Sequence, residues 1–285
     1  MNPKETMKAV TFNGKLKISN VPKPIINKNE TIIRVTKAGI CNTDHEIIKG
    51  YVPNYRGILG HEFIGIVKNS SDSSLTGKRC TAEINFACNN CEYCNNGLQR
   101  HCPNRSVMGI INSNGAMAEY IAVPTENVVI IPDEIEDRNA IFIEPLAAAL
   151  EILDQISINH DHNILLIGDG KLGILISQVL ATLKCNITHI GKHQSKLNLF
   201  NNNNIKKVLL KNFKTTEKFD IIIEASGNSS AFDMALSNIK PRGTIILKST
   251  YSNDFNFNPS TVVVNEISII GSRCGRFSSA INFFL

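Results

Sequence analysis

The chain has 285 residues, 42% of them hydrophobic and 19% charged, with a formal net charge of +5. That composition excludes a disordered chain, a fibre and a membrane-embedded protein, and the length exceeds one ordinary core of ~100 to 150 residues, so two domains are expected. The small positive excess comes from lysines spread along the whole chain, which leaves no nucleic-acid footprint and no named partner.

In chain order, the N-terminus has no apolar leader, and the longest apolar stretch, from Asn163 to Leu183, is broken by Asp169 and Lys171. A protein that is neither exported nor membrane-spanning is expected, in the cytoplasm. Its eight cysteines then point to metal rather than to disulfides. From Lys8 to Asn20 two alternating runs flank Asn13-Gly14, which predicts a hairpin with a two-residue type I′ turn. Short strands follow at 31–35, 63–67, 120–123 and 128–131, separated by Gly, Pro, Asn and Ser clusters. The first half reads as an irregular, mostly β domain.

At Glu144-Pro145 the pattern changes, since proline in a first helical turn costs no hydrogen bond, and a helix is predicted over 146–156. Strands at 164–167, 186–190, 208–210, 220–224, 244–247 and 267–270 then alternate with helices at 172–183, 194–200 and 230–238. Six strands with crossover helices predict an α/β fold with a doubly wound parallel sheet. The expected domains are 1–145 and 146–285.

Gly168-Asp169-Gly170-Lys171-Leu172-Gly173 falls between a predicted strand and helix, the context in which a glycine motif binds a dinucleotide. Gly168 permits the turn, Gly170 lets backbone approach a pyrophosphate, and Gly173 lets the helix pack on the strand, with Lys171 and Leu172 at the helix start. An NAD site carries an acidic residue about twenty positions on. Gly191 stands there instead, beside Lys192, His193 and Lys196, so NADP is expected over NAD.

Cys88, Cys91, Cys94 and Cys102 form C-x2-C-x2-C-x7-C within a lobe spanning 86–104. Four thiolates close a tetrahedral shell, as in a structural zinc site. No Lys/Arg-bearing recognition helix follows Cys102, which argues against a nucleic-acid finger. Cys41, in Gly39-Ile40-Cys41-Asn42-Thr43-Asp44, and His61, in Gly60-His61-Glu62, each sit where an apolar strand meets a glycine turn.

These segments, together with 142–150, resemble the medium-chain dehydrogenase/reductase family, zinc-dependent alcohol dehydrogenase type, over the whole chain. The resemblance is to the polyol and threonine dehydrogenase branch. It implies a GroES-like, mostly β catalytic domain followed by a Rossmann domain, two zinc ions per chain, and hydride transfer between a small alcohol, polyol or hydroxy amino acid and NAD(P). It implies Cys41 and His61 as catalytic zinc ligands, with Glu144 or Glu62 as the third. Asp44 would orient the site, and Thr43 would take the alcohol proton. Glu46 stands where many members place the histidine that ends the proton relay, and His45, one position earlier, is expected on the helix surface. Pocket walls are sought among Tyr51, Val52, Pro53 and Tyr55.

Family chains return after the sixth Rossmann strand to complete the catalytic domain. Here a truncated catalytic domain is expected, with an exposed apolar tail at Phe283-Phe284-Leu285. The rival reading is therefore a catalytically inactive remnant that keeps zinc and dinucleotide binding. The segment 266–273 matches the edge by which family members pair, which predicts a homodimer or homotetramer.

Overall fold

Met7 and Ala9, alternating with exposed neighbours, start the chain as β structure: β1 (Thr6–Phe12) turns back into β2 (Leu16–Pro22). The computed structural model describes residues 5–250 and 256–285. The hairpin register pairs Phe12 with Leu16, so the loop holds three residues instead of the expected two. Only Gly14, with φ +88°, takes the left-handed conformation that a type I′ turn demands of both central residues.

The chain divides into two compact units, Met1–Glu144 with Arg276–Leu285, and Pro145–Gly275. The last ten residues, expected in the second domain, thus group with the first. In the first unit β3 (Glu30–Gly39) is followed by α1 (Asn42–Ile48), β4 (Gly57–Ile58) and β5 (Glu62–Ser70). After β6 (Arg79–Ala82) come β7 (Asn85–Phe86), α2 (Glu92–Asn95) and β8 (Ser106–Val107). β9 (Tyr120–Pro124), β10 (Val128–Ile130) and α3 (Asp137–Ala140) complete the series. A five-stranded antiparallel sheet runs β10-β6-β5-β3-β9, beside a three-stranded sheet β2-β1-β4 and the pair β7-β8. One register positions the site: Gly39, ending β3, pairs with Glu62, opening β5. Antiparallel pairing therefore brings the turn after β3 alongside the turn before β5.

Helix α4 (Ile143–Gln155) carries the boundary between the units in its first turn. Beyond it run β11 (Asn163–Ile167), α5 (Lys171–Ala181), β12 (Asn186–Gly191), α6 (Gln194–Leu197) and β13 (Ile205–Leu209). Then follow β14 (Phe219–Glu224), α7 (Ser229–Asn238), β15 (Ile239–Leu247), α8 (Pro259–Val264) and β16 (Ser268–Gly271). The sheet is parallel throughout, in the order β13-β12-β11-β14-β15-β16. Its strands are near-continuous apolar runs because both faces are covered, as Leu165, Ile167, Ile190, Ile222 and Ile245 show in one buried cluster with Phe219 and Phe232. Strand order reverses between β11 and β14, the switch point at which open sheets of this kind bind ligands.

The chain's last element is α9 (Phe277–Phe284), where an exposed apolar tail is expected. Phe277, Ala280 and Ile281 are buried, and the Phe277 N–H donates to Glu83 Oε1 at 3.1 Å. Apolar residues at spacings of three and four make one covered helix face, whereas Phe283 and Leu285 of the expected tail are exposed and Phe284 is half-buried.

Candidate active site

Cys41 is the residue before α1, with extended backbone, and Asp44 is the third helical residue, the position from which an acidic side chain reaches back to a helix start. Asp44 is buried and does this: Oδ2 accepts the Cys41 N–H at 2.8 Å. Its other oxygen, Oδ1, accepts the Gly60 N–H at 3.2 Å and lies 3.6 Å from His61 Nδ1. One carboxylate thereby ties the two turns that carry Cys41 and His61. Gly60 turns there with φ +96°, where a side chain would strain the backbone.

Cys41 Sγ, a ring nitrogen of His61 and a carboxylate oxygen of Glu62 all lie within 4.8 Å of one another. His61 and Glu62 are buried, 3% and 1% exposed. His61 Nδ1 has no hydrogen-bond partner, a costly state for a buried polar atom. Burial, followed by the charges of Glu62 and Glu144, pushes the Cys41 thiol up to about 12. Sulfur, imidazole and carboxylate donors converging here, with His61 and Glu62 buried and Asp44 beside His61 Nδ1, fit a divalent cation such as zinc, which would stabilise the thiolate. Glu62 completes the triplet; Glu144, in the first turn of α4, is near enough to act on Cys41 by charge but lies outside that group.

Thr43 Oγ1 is 3.6 Å from Cys41 Sγ. Glu46 makes an ion pair with Lys49 at 2.9 Å, and His45 is exposed on α1. Tyr55 donates its hydroxyl to Ile58 O at 2.6 Å, while Tyr51 is partly exposed.

In the lobe, Sγ–Sγ separations are 3.5 Å for Cys91–Cys94 and Cys88–Cys102, 3.8 Å for Cys91–Cys102 and 4.0 Å for Cys88–Cys94. A tetrahedron with Zn–S of ~2.3 Å has edges of about 3.8 Å, so these four sulfurs fit the ion. The backbone N–H of Asn90 is the main influence holding the Cys88 thiol well below its usual value, toward thiolate.

At the glycine motif, Gly168 has φ +126°, and a β-carbon there would strike the Ala225 carbonyl. A β-carbon at Gly173 would strike Gly168 O, while one at Gly170 would meet nothing within 4 Å. The first and third glycines thus serve close packing, and the second leaves room for a phosphate-bearing ligand at the start of α5, whose first residues are Lys171 and Leu172. His189, buried in β12 and absent from the sequence expectations, places Nε2 2.8 Å from Gly168 O and braces the loop from below. A polar residue inside the apolar run of a parallel strand is the signal that marks it. Lys192, His193 and Lys196 are exposed just beyond Gly191.

Comparison with known proteins adds to this geometry. Residues 27–133 match the alcohol dehydrogenase GroES-like domain, and residues 172–284 match the zinc-binding dehydrogenase family. An L-threonine 3-dehydrogenase from Chelativorans sp. (strain BNC1) is 30% identical, over 94% of this chain and 83% of the relative. A sorbitol dehydrogenase from Bacillus subtilis (strain 168) is 26% identical, over 94% of this chain and 82% of the relative. Among solved structures, a protein from Sinorhizobium meliloti 1021 bound to NADP superposes with a TM-score of 0.88 at 24% identity, covering 98% of this chain and 88% of the other.

Proposed function

The chain belongs to the zinc-dependent alcohol dehydrogenases, oxidoreductases of the medium-chain dehydrogenase/reductase family, and on that premise we propose that it transfers hydride between a small polyol or hydroxy amino acid and NADP. The observation that carries this reading is the convergence of Cys41, His61 and Glu62, the last two buried, with ligand atoms all within 4.8 Å of one another. A zinc ion held by these three residues would supply Lewis-acid stabilisation of charge developing on the substrate oxygen. Asp44 holds both ligand-bearing turns, so the donors are set before substrate arrives. The Thr43 hydroxyl, beside Cys41, accepts the alcohol proton and hands it outward. Glu46, the next acidic group along α1, would pass that proton to solvent through its carboxylate, which Lys49 holds at 2.9 Å.

A nicotinamide dinucleotide would supply the hydride acceptor. The open face of Gly170 and the first turn of α5 take its pyrophosphate, and Lys171 and Leu172 lie beside it. The positive charge beyond Gly191 supports NADP as the preferred form. Cys88, Cys91, Cys94 and Cys102 hold a second zinc that stiffens their lobe, and thiolate ligands of this kind suit a reducing cytoplasm. No helix among the described residues is long and apolar enough to cross a membrane.

The relatives named for threonine and sorbitol direct the test. Metal-quantified protein is screened for NADP and NAD reduction with polyols, threonine and simple alcohols. Turnover with at least one of these, reduced roughly a thousandfold or more in Cys41→Ser, is expected. Cofactor binding without turnover of any alcohol or aldehyde would favour the inactive remnant.

A further inference from the structure

Gly191 ends β12 where a ribose-binding carboxylate belongs in an NAD site, and the space above it is filled from another part of the chain. A β-carbon at 191 would lie 2.8 Å from the carboxyl carbon of Asp169 and 2.9 Å from its Oδ2. Asp169 reaches this place from the glycine loop. Its Oδ2 accepts the His193 backbone N–H at 2.5 Å and faces His193 Nδ1 at 3.0 Å. The Asp169 side chain is 11% exposed and the His193 side chain 54% exposed, so the carboxylate is packed under the ring while the ring faces outward. Burial works to raise the Asp169 pKa, yet the His193 N–H, the His193 ring and the charge of Lys196 together hold it below the usual carboxylate value.

We propose that Asp169 is a specificity-determining residue, which bars any side chain from position 191 and positions the His193 ring so that its Nε2 edge, with Lys192 and Lys196, receives the 2′-phosphate of NADP. This rests on the NADP reading given above. The arrangement suits an anion because Asp169 holds the ring at Nδ1 and at the backbone N–H, which leaves the Nε2 edge of a half-exposed ring for a ligand. An imidazole already held at its backbone and at one nitrogen has little freedom left to lose when the phosphate arrives. The carboxylate's own charge opposes the phosphate, while both hydrogen bonds from His193 are directed at that charge, and Asp169→Asn weighs positioning against repulsion. The interlock also explains the missing acidic residue: a carboxylate at 191 and one at 169 cannot share the space.

The test measures equilibrium Kd values for NADPH and NADH by cofactor fluorescence on the intact protein, with thermal melts as a check of folding. Wild type is compared with Asp169→Asn, with the surface variant His193→Gln, and with Asp169→Gly combined with Gly191→Asp. Wild type should bind NADPH more tightly than NADH. Asp169→Asn and His193→Gln should each weaken NADPH by roughly threefold to tenfold, the effect of losing one charge-assisted hydrogen bond, and leave NADH within about twofold. The double variant should reverse the preference. A wild-type preference for NADH overturns the NADP reading and this inference with it. A wild-type preference for NADPH overturns the inference alone if the two single variants leave the ratio unchanged, if they weaken both cofactors equally, or if Asp169→Asn tightens NADPH.

Discussion

Asp44 serves two turns with two oxygens, and this economy explains why Cys41 and His61, twenty residues apart, arrive together. Gly39 contributes by lacking a side chain. Its φ is not among the positive values, so alanine would suit the backbone, but a β-carbon would drive into the Glu62 carboxylate and lie 3.1 Å from the Glu62 β-carbon. Gly39→Ala should therefore fold, displace Glu62, and weaken zinc binding at this site by about tenfold to a hundredfold, the usual cost of disturbing a supporting group. Competition with a chromophoric chelator measures it; unchanged affinity at both zinc sites would remove Glu62 from the ligand set. The four lobe cysteines stand out by spacing alone, whereas Cys41 and His61, far apart in sequence, stand out only by their glycine turns and the family resemblance. The sequence leaves Glu62 and Glu144 open as the third donor, and the β3–β5 register brings Glu62 alongside Cys41 and His61. Asp169 shows the same limit: it stood inside a motif read for its glycines, and its role appears only where β12 ends beside it.

Among the elements, β16 is the outermost strand of the parallel sheet, with Ile269 partly exposed on it and Val263 and Val264 exposed on the preceding α8. An open, apolar strand edge is a template for pairing with another chain. Association through 266–273 is the expected use, and a charge placed there, Ile269→Lys, should shift the light-scattering mass at micromolar concentration from dimer or tetramer toward monomer. A monomeric wild type would refute this. The central strands β11 and β14 are legible because strands buried on both faces spell out apolar runs, and the edge strands β13 and β16 through their place in the strand–helix alternation. Ends were less so: β13 begins at Ile205, three residues before its expected start, and α6 stops at Leu197 where a helix to Phe200 is expected. The exposed ends Phe283 and Leu285 match the expected apolar tail, but the helix α9 and its buried Phe277, Ala280 and Ile281 emerge only with Glu83 and the rest of the first unit around them.

For the whole molecule, the division of labour follows the two units. The first carries both groups of side chains that could hold a metal ion, the second the glycine loop and its polar braces. Composition and cysteine spacing announced this plan, and so did the change from irregular strands to strict alternation near residue 145. What composition could not convey is charge balance within each site. Glu62 and Glu144 both act by charge on Cys41, an arrangement that a cation among the donors would balance. The most direct measurement is metal content by elemental analysis of freshly purified protein, for wild type, Cys41→Ser and Cys94→Ser. Two zinc equivalents per chain in wild type are predicted, falling to one in each variant, with turnover abolished in Cys41→Ser. A single equivalent in wild type that Cys41→Ser leaves in place and Cys94→Ser removes would contradict the account.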